Sequence, residues 1–219
     1  MSYERTAKRS ALLKCAIYTA LFLIGYVIGK LTDSDVIKIS KYVILAAAGI
    51  VLFRDVFSQG LKDWKEKPVK NVIWVLLGFV AMFIAQIIFS IPGSIIFPEY
   101  YGMNTDSVEN AMRVLSPLIY VPVMGILGPV AEEIMFRLVL VEKPKSKVPA
   151  AIPVILSGLL FCVYHMHALT LPEFLSCLPH CGCGIVLSIV VLKSRNFTAA
   201  CLIHVLFNLL CLLVYTFGA

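Results

Sequence analysis

One stretch constrains this chain more than any other: Gly128-Pro129-Val130-Ala131-Glu132-Glu133-Ile134-Met135-Phe136-Arg137. It sets two adjacent carboxylates and a guanidinium inside an apolar run from about Leu115 to Val141. A charge at the middle of a membrane helix costs from about 2.5 to more than 10 kcal/mol, so residues of this kind are read as functional when partners can be named. Glu133 and Arg137 stand i, i+4, share one helical face and can pair. Glu132 is turned by about 100° from Glu133 and is left over. A structural ion pair that holds helices together is the plain alternative, and Glu132 is the residue it leaves to explain.

The membrane setting follows from composition. The chain is 60% hydrophobic and 15% charged, with a mean hydropathy of +0.91, where a soluble domain carries about 25% charged residues. Several apolar runs reach the ~20 residues that cross a bilayer. These features predict an all-α polytopic membrane helix bundle forming a single transmembrane domain over residues 1–219, with about seven spans. The spans centre on Cys15 to Ile28, Tyr42 to Phe53 (short for a crossing), Val72 to Phe97, the motif stretch, a helix beginning in earnest at Pro153, Leu171 to Leu192, and Phe197 to Phe217. Pro92-Gly93 predicts a kink or an early end and Gly128-Pro129 a kink. In the polar loop from Glu99 to Arg113, Asp106-x-x-Glu109 can cap a short helix.

Orientation is read from Lys and Arg. Four precede the first span, five follow the second, three the fourth and two the sixth, so fourteen fall on one side and four on the other; Arg137 is the nineteenth. That asymmetry predicts a cytoplasmic N-terminus and an external C-terminus, in an integral protein of a bacterial plasma membrane. It also accounts for the net charge of +6 with the lipid bilayer as partner and no nucleic acid. The seven cysteines lie in or beside apolar segments and read as small buried hydrophobes rather than a disulfide framework.

Two further helices carry polar groups at membrane depth: Phe161-x-x-x-His165, and His204-x-x-x-Asn208, whose i, i+4 spacing points both side chains one way. At ~1.5 Å per residue from the cytoplasmic helix ends, Glu132 lies at ~15 Å, His165 and Asn208 at ~18 Å and His204 at ~12 Å. Four polar groups from three helices thus fall in one layer, and a single water-accessible cavity opening to the cytoplasmic side is expected to collect them. Singly, each His or Asn reads equally well as interhelical glue. Pro179-His180-Cys181-Gly182-Cys183-Gly184 has no standard zinc spacing, and its glycines read as close helix contacts. The available chemistry is hydrolysis. A carboxylate in a pocket can act as general base towards water, with His165 sharing that water, while His204 and Asn208 offer hydrogen bonds to an oxyanion.

Glu132-Glu133-x-x-x-Arg137, Phe161-x-x-x-His165 and His204-x-x-x-Asn208, in this order, resemble the three motifs of the CAAX-protease and bacteriocin-processing (CPBP) intramembrane proteases, which include the eukaryotic Ras-converting enzyme. The resemblance covers roughly Leu115 to Phe217. It implies an intramembrane endopeptidase acting on a membrane-associated peptide or protein. Glu132 would activate water with His165, His204 and Asn208 would form the oxyanion site, and Glu133 with Arg137 would support them. The family commonly has Gly after the motif Arg, where this chain has Leu138. No cofactor is expected; a zinc ion, if present, would take Glu132, His165 and His204. The competing functions are a non-catalytic immunity or binding protein using the same pocket, and a proton-coupled transporter, which the lack of a visible repeat disfavours.

Overall fold

The computed structural model describes residues 2–32, 34–142 and 149–217, so most of the expected loop from Glu142 to Val148 lies outside the described residues. The elements are α1 (Ser2–Leu31), α2 (Asp35–Leu52), α3 (Arg54–Glu66), α4 (Pro68–Ile96), α5 (Met103–Val114), α6 (Pro117–Pro122), α7 (Gly128–Glu133), α8 (Ala151–His165), α9 (Leu171–Ser194) and α10 (Phe197–Phe217). Two π-wound segments, Val123–Leu127 and Ile134–Glu142, flank α7, so residues 117–142 form one unbroken helical rod. The chain is an all-α polytopic membrane bundle.

Each of the seven expected stretches is helical, but the span count differs. By length and composition four helices can cross a bilayer: Arg9–Leu31, Pro68–Ile96, Leu171–Ser194 and Phe197–Val214. The α2–α3 pair makes a fifth if taken as one span, although α3 turns away by 77°. The rod 117–142 has a mixed winding, and α8 has only 15 residues, which is short against the ~20 of a full crossing.

Local signals act differently from their sequence reading. Pro92 does not end α4, which continues to Ile96. The two serines flanking it turn their hydroxyls onto the preceding turn, Ser90 to the Ile87 carbonyl at 2.8 Å and Ser94 to that of Ile91 at 3.0 Å. Membrane helices tolerate proline where such neighbours satisfy the backbone. Helix α5 begins at Met103 with no side-chain cap; Glu109 instead accepts from the Tyr101 hydroxyl and pairs with Arg113.

The expected kink at Gly128-Pro129 appears as a change of winding. Pro129 has no N–H, and the Gly128 N–H reaches back five residues to the Val123 carbonyl. In that wide register the Met124 carbonyl would need the missing Pro129 donor. It takes the Asn208 side-chain amide instead, at 3.2 Å. Other helices serve the rod likewise: the Tyr18 hydroxyl of α1 donates to Ala131 at 2.8 Å, and Ser157 of α8 to Phe136 at 2.7 Å. Irregular backbone at membrane depth is thus satisfied from within the protein.

The backbones of α8 and α9 approach each other closely. A Cβ on Gly184 would stand 2.8 Å from the Gly158 Cα, and one on Gly158 would stand 2.9 Å from the Cys181 carbonyl oxygen, so these small residues let two backbones meet. Tyr18, Phe22, Phe53, Phe136 and Phe161 build the apolar core around the rod.

A polar clasp closes each end. At one end Asn196 donates to Gly60 O (3.4 Å), Asp63 Oδ2 (3.3 Å) and Asn71 Oδ1 (3.2 Å), and accepts from the Thr198 N–H and hydroxyl. This joins α3, α4 and the start of α10. At the other end Glu173, fully buried in the first turn of α9, accepts from the Tyr100 hydroxyl (2.9 Å), the Met103 N–H (3.1 Å) and the His167 N–H (3.0 Å). It ties α5 and the loop after α8 to α9.

Candidate active site

The three sequence motifs meet. Glu132, His165, His204 and Asn208 all line one cavity of about 380 Å³, closed in by α4, α5, α9, α10 and the rod. Glu132 and His204 are nearly buried, at 6% and 5% exposure, while Glu133 and Arg137 have no exposure at all. Leu138, standing where a glycine was expected, is fully buried as well, so its side chain fills core volume.

Glu133 is more than the partner of Arg137. Its Oε1 lies 3.2 Å from Arg137 Nη1 and 2.9 Å from His204 Nδ1, joining the rod to α10. The guanidinium also rests over the Phe161 ring, 4.4 Å from its centroid, a contact that favours a buried cation. Phe161 in turn meets His165 and His204 edge-on, at 4.6 and 5.7 Å between centroids. Phe161 is therefore the wedge that spaces both histidines and the arginine.

Hydrogen-bond partners assign the imidazole protons. The Phe161 carbonyl can only accept, so His165 Nδ1, 2.7 Å away, carries the hydrogen and Nε2 offers its lone pair. His204 Nδ1 donates to the Glu133 carboxylate, leaving Nε2 directed towards Glu132 Oε2 at 3.9 Å. For His204 to donate through Nε2 as well, it must carry both protons. Asn208 has two amide hydrogens; one serves Met124, and the second is available to the cavity.

His180 also lines the cavity, and its ring stacks on that of His165 at 4.0 Å and 18°. Gln86, Tyr42, Cys183 and Tyr120 complete part of the wall. Depth alone would have flagged His180: it stands nine residues into α9, about 14 Å along the axis. Among the described residues, no group of three or more His, Cys, Asp or Glu side chains is placed to hold a metal ion. Both imidazole Nδ1 atoms are already engaged, so Glu132, His165 and His204 would have only Nε2 and carboxylate atoms to offer one.

The cavity does not open toward the end that carries the basic loops. Its walls include Asn104, Thr105 and Val108 of α5 and Ser176 and Pro179 near the start of α9. An adjoining hollow of about 350 Å³ shares Tyr42, Asn104, Val108, Met124 and His165 with it and continues to Lys30, Asp35 and Lys38. The expected cytoplasmic opening would require this end, and not the end with the basic loops, to face the cytoplasm. The far half of the bundle is filled by the core around Ile134, Leu138, Ala199 and Ile203.

Residues 114–210 match the family model described as type II CAAX prenyl endopeptidase Rce1-like. That region carries every motif residue above. The match spans a little under half of the chain and supports the resemblance to the CPBP membrane proteases. The chain is also 27% identical over 158 residues to a protein of Bacillus subtilis (strain 168) named "Putative membrane peptidase YdiL". That similarity covers 66% of this chain and 62% of the relative, so more than a third of the relative's length lies outside it. No solved structure matches the chain.

Proposed function

We propose that this chain is an intramembrane glutamic endopeptidase of the CPBP kind, working without a metal, that cuts a membrane-associated peptide or protein. The observation that carries the reading is the convergence of Glu132, His165, His204 and Asn208 on one cavity beside a fully buried Glu133–Arg137 pair. A water held between Glu132 and His165 Nε2 attacks the carbonyl carbon of the scissile bond. Its proton passes to the carboxylate or the imidazole and then to the leaving amine nitrogen as the C–N bond breaks. The developing oxyanion takes hydrogen bonds from the free Asn208 N–H and from His204 Nε2, which donates when the ring carries both protons. Arg137 Nη1 lies 3.2 Å from the same Glu133 oxygen and holds it in place beside His204.

The test is cleavage of synthetic transmembrane peptides by purified protein in detergent, with and without a chelator. Glu132→Gln keeps size and polarity but removes the base, so turnover is expected to fall by about 100-fold or more with the fold retained, and the chelator should change nothing. Unchanged cleavage in Glu132→Gln and Asn208→Ala would defeat the roles given to these residues, and no cleavage by the parent chain, with its cellular phenotype intact in both variants, would leave a binding or immunity protein. Loss on chelation, restored by zinc, would keep proteolysis and overturn the metal-free assignment.

A further inference from the structure

The two ends of the bundle differ in a way that bears on where a substrate can come from. Every loop-side feature of the cavity belongs to the end where α1 finishes, α2 begins, α8 finishes and α9 begins. The mouth includes Lys30, Asp35 and Lys38, with Asn104 and Ser107 of α5. Lys30 donates to the Met166 carbonyl at 2.8 Å, and Glu173 binds the Met103 and His167 N–H groups, which holds those segments together at one end.

The opposite end is shut. Arg137, Leu138, Val141, Ala199 and Ala200 leave at most a trace of surface, and beyond them the Asp63–Asn71–Asn196 clasp seals α3 to α10. No residue of α3, and none from 194 to 200, lines either hollow. That shut end is also the basic one. Among the described residues, eleven Lys and Arg fall in the segments on its side, and only Lys30, Lys38, Lys41 and Arg113 fall on the side of the mouth. Segments rich in Lys and Arg stay in the cytoplasm, and reversing this chain would place all eleven outside.

We infer that the active-site cavity opens to the extracytoplasmic face of the membrane, so its substrate is a membrane-associated peptide presented from outside. The inference rests on the proteolytic reading for the word substrate, and on packing and charge alone for the side. Water for hydrolysis reaches Glu132 from the same face, and the cleaved polar end leaves there. The lysines at the mouth favour segments carrying acidic rather than basic residues next to the cut.

Single cysteines decide the side. Ser107→Cys sits at the mouth and Lys62→Cys on α3, and the parent chain, with its native thiols, sets the background. Cells expressing each variant are treated with a membrane-impermeant maleimide before and after permeabilisation. Ser107→Cys should label in intact cells and Lys62→Cys only after permeabilisation. The reverse pattern, or labelling of both in intact cells, overturns the inference. Should Ser107→Cys fail to accumulate or stay unlabelled throughout, exposed Asp106 gives a second position in Asp106→Cys, judged by the same two outcomes. Repeating the labelling in a Glu132→Gln background separates the two ideas: the side should be unchanged there even though cleavage is lost. External labelling beside undiminished cleavage in Glu132→Gln would keep the side and defeat the glutamate-based reading of the site.

Discussion

Glu133 meets two demands with one oxygen, since Oε1 faces both Arg137 Nη1 and His204 Nδ1. Removing its charge therefore separates a structural effect from a positioning one. Glu133→Gln leaves the guanidinium buried without a counter-charge, a loss on the order of 3–5 kcal/mol, visible as a lower thermal midpoint and lower yield. Glu133→Leu combined with Arg137→Met removes both charges, and such replacements are close to neutral for stability. The double variant should recover the thermal midpoint but not the activity, because His204 still lacks the acceptor that orients its ring. Recovery of both would reduce Glu133 to a counter-ion. The six motif residues are legible in the sequence because i, i+4 spacing fixes which side chains share a face and counting along a helix fixes their depth. His180 escapes that reading because its surrounding Gly and Cys residues are explained by packing. Glu173, Asn71 and Asn196 escape because their partners lie far away in sequence and no short spacing announces them.

At the scale of elements, the distance between α8 and α9 controls the site. These helices carry His165 and His180, whose rings stack 4.0 Å apart, and their contact depends on Gly158 and Gly184. Gly184→Ala would place a methyl 2.8 Å from the Gly158 backbone, which cannot yield by rotating a side chain. The helices must separate, at a cost of about 1–3 kcal/mol, and the histidine stack must slide. Gly25→Ala is the control, because its Cβ would meet only ordinary contacts at 3.6 and 3.7 Å and alanine favours a helix by up to about 1 kcal/mol. Melting curves and kcat should both fall for Gly184→Ala and hold for Gly25→Ala. The close contact is readable from the small residues themselves. The winding of the rod is not: sequence announces a disturbance at Pro129, but whether the helix bends or widens depends on whether a donor such as Asn208 waits beside the freed carbonyl.

Across the whole molecule, the two clasps should answer differently to mutation, because one seals the shut end and the other frames the mouth. Asn196→Ala strips hydrogen-bond partners from Asn71, Asp63 and Thr198, which costs about 1–3 kcal/mol for each buried group left unpaired, while kcat per folded molecule should hold. Acid should act at the same place. Lys67, 3.0 Å away, and Asn71 hold the Asp63 carboxyl below its ordinary range. A carboxylate with a depressed folded-state value stabilises above about pH 4 and loses that contribution as pH falls through the folded value. The thermal midpoint of the parent chain should therefore drop at the acid end, and Asp63→Asn should begin lower at neutral pH and drop less. Glu173→Gln probes the mouth. Its second oxygen, Oε2, serves both Tyr100 and the Met103 N–H. Replacing one oxygen by an NH₂ group turns an acceptor into a donor facing donors, so α5 must loosen over the cavity. Because Glu173 does not line the cavity that holds Glu132, the chemical step keeps its groups. The expected change is in KM rather than kcat, with little loss of thermal stability beyond one buried acceptor. A fall in kcat with KM unchanged would mean that α5 helps to shape the transition state and is not merely the wall of its entrance.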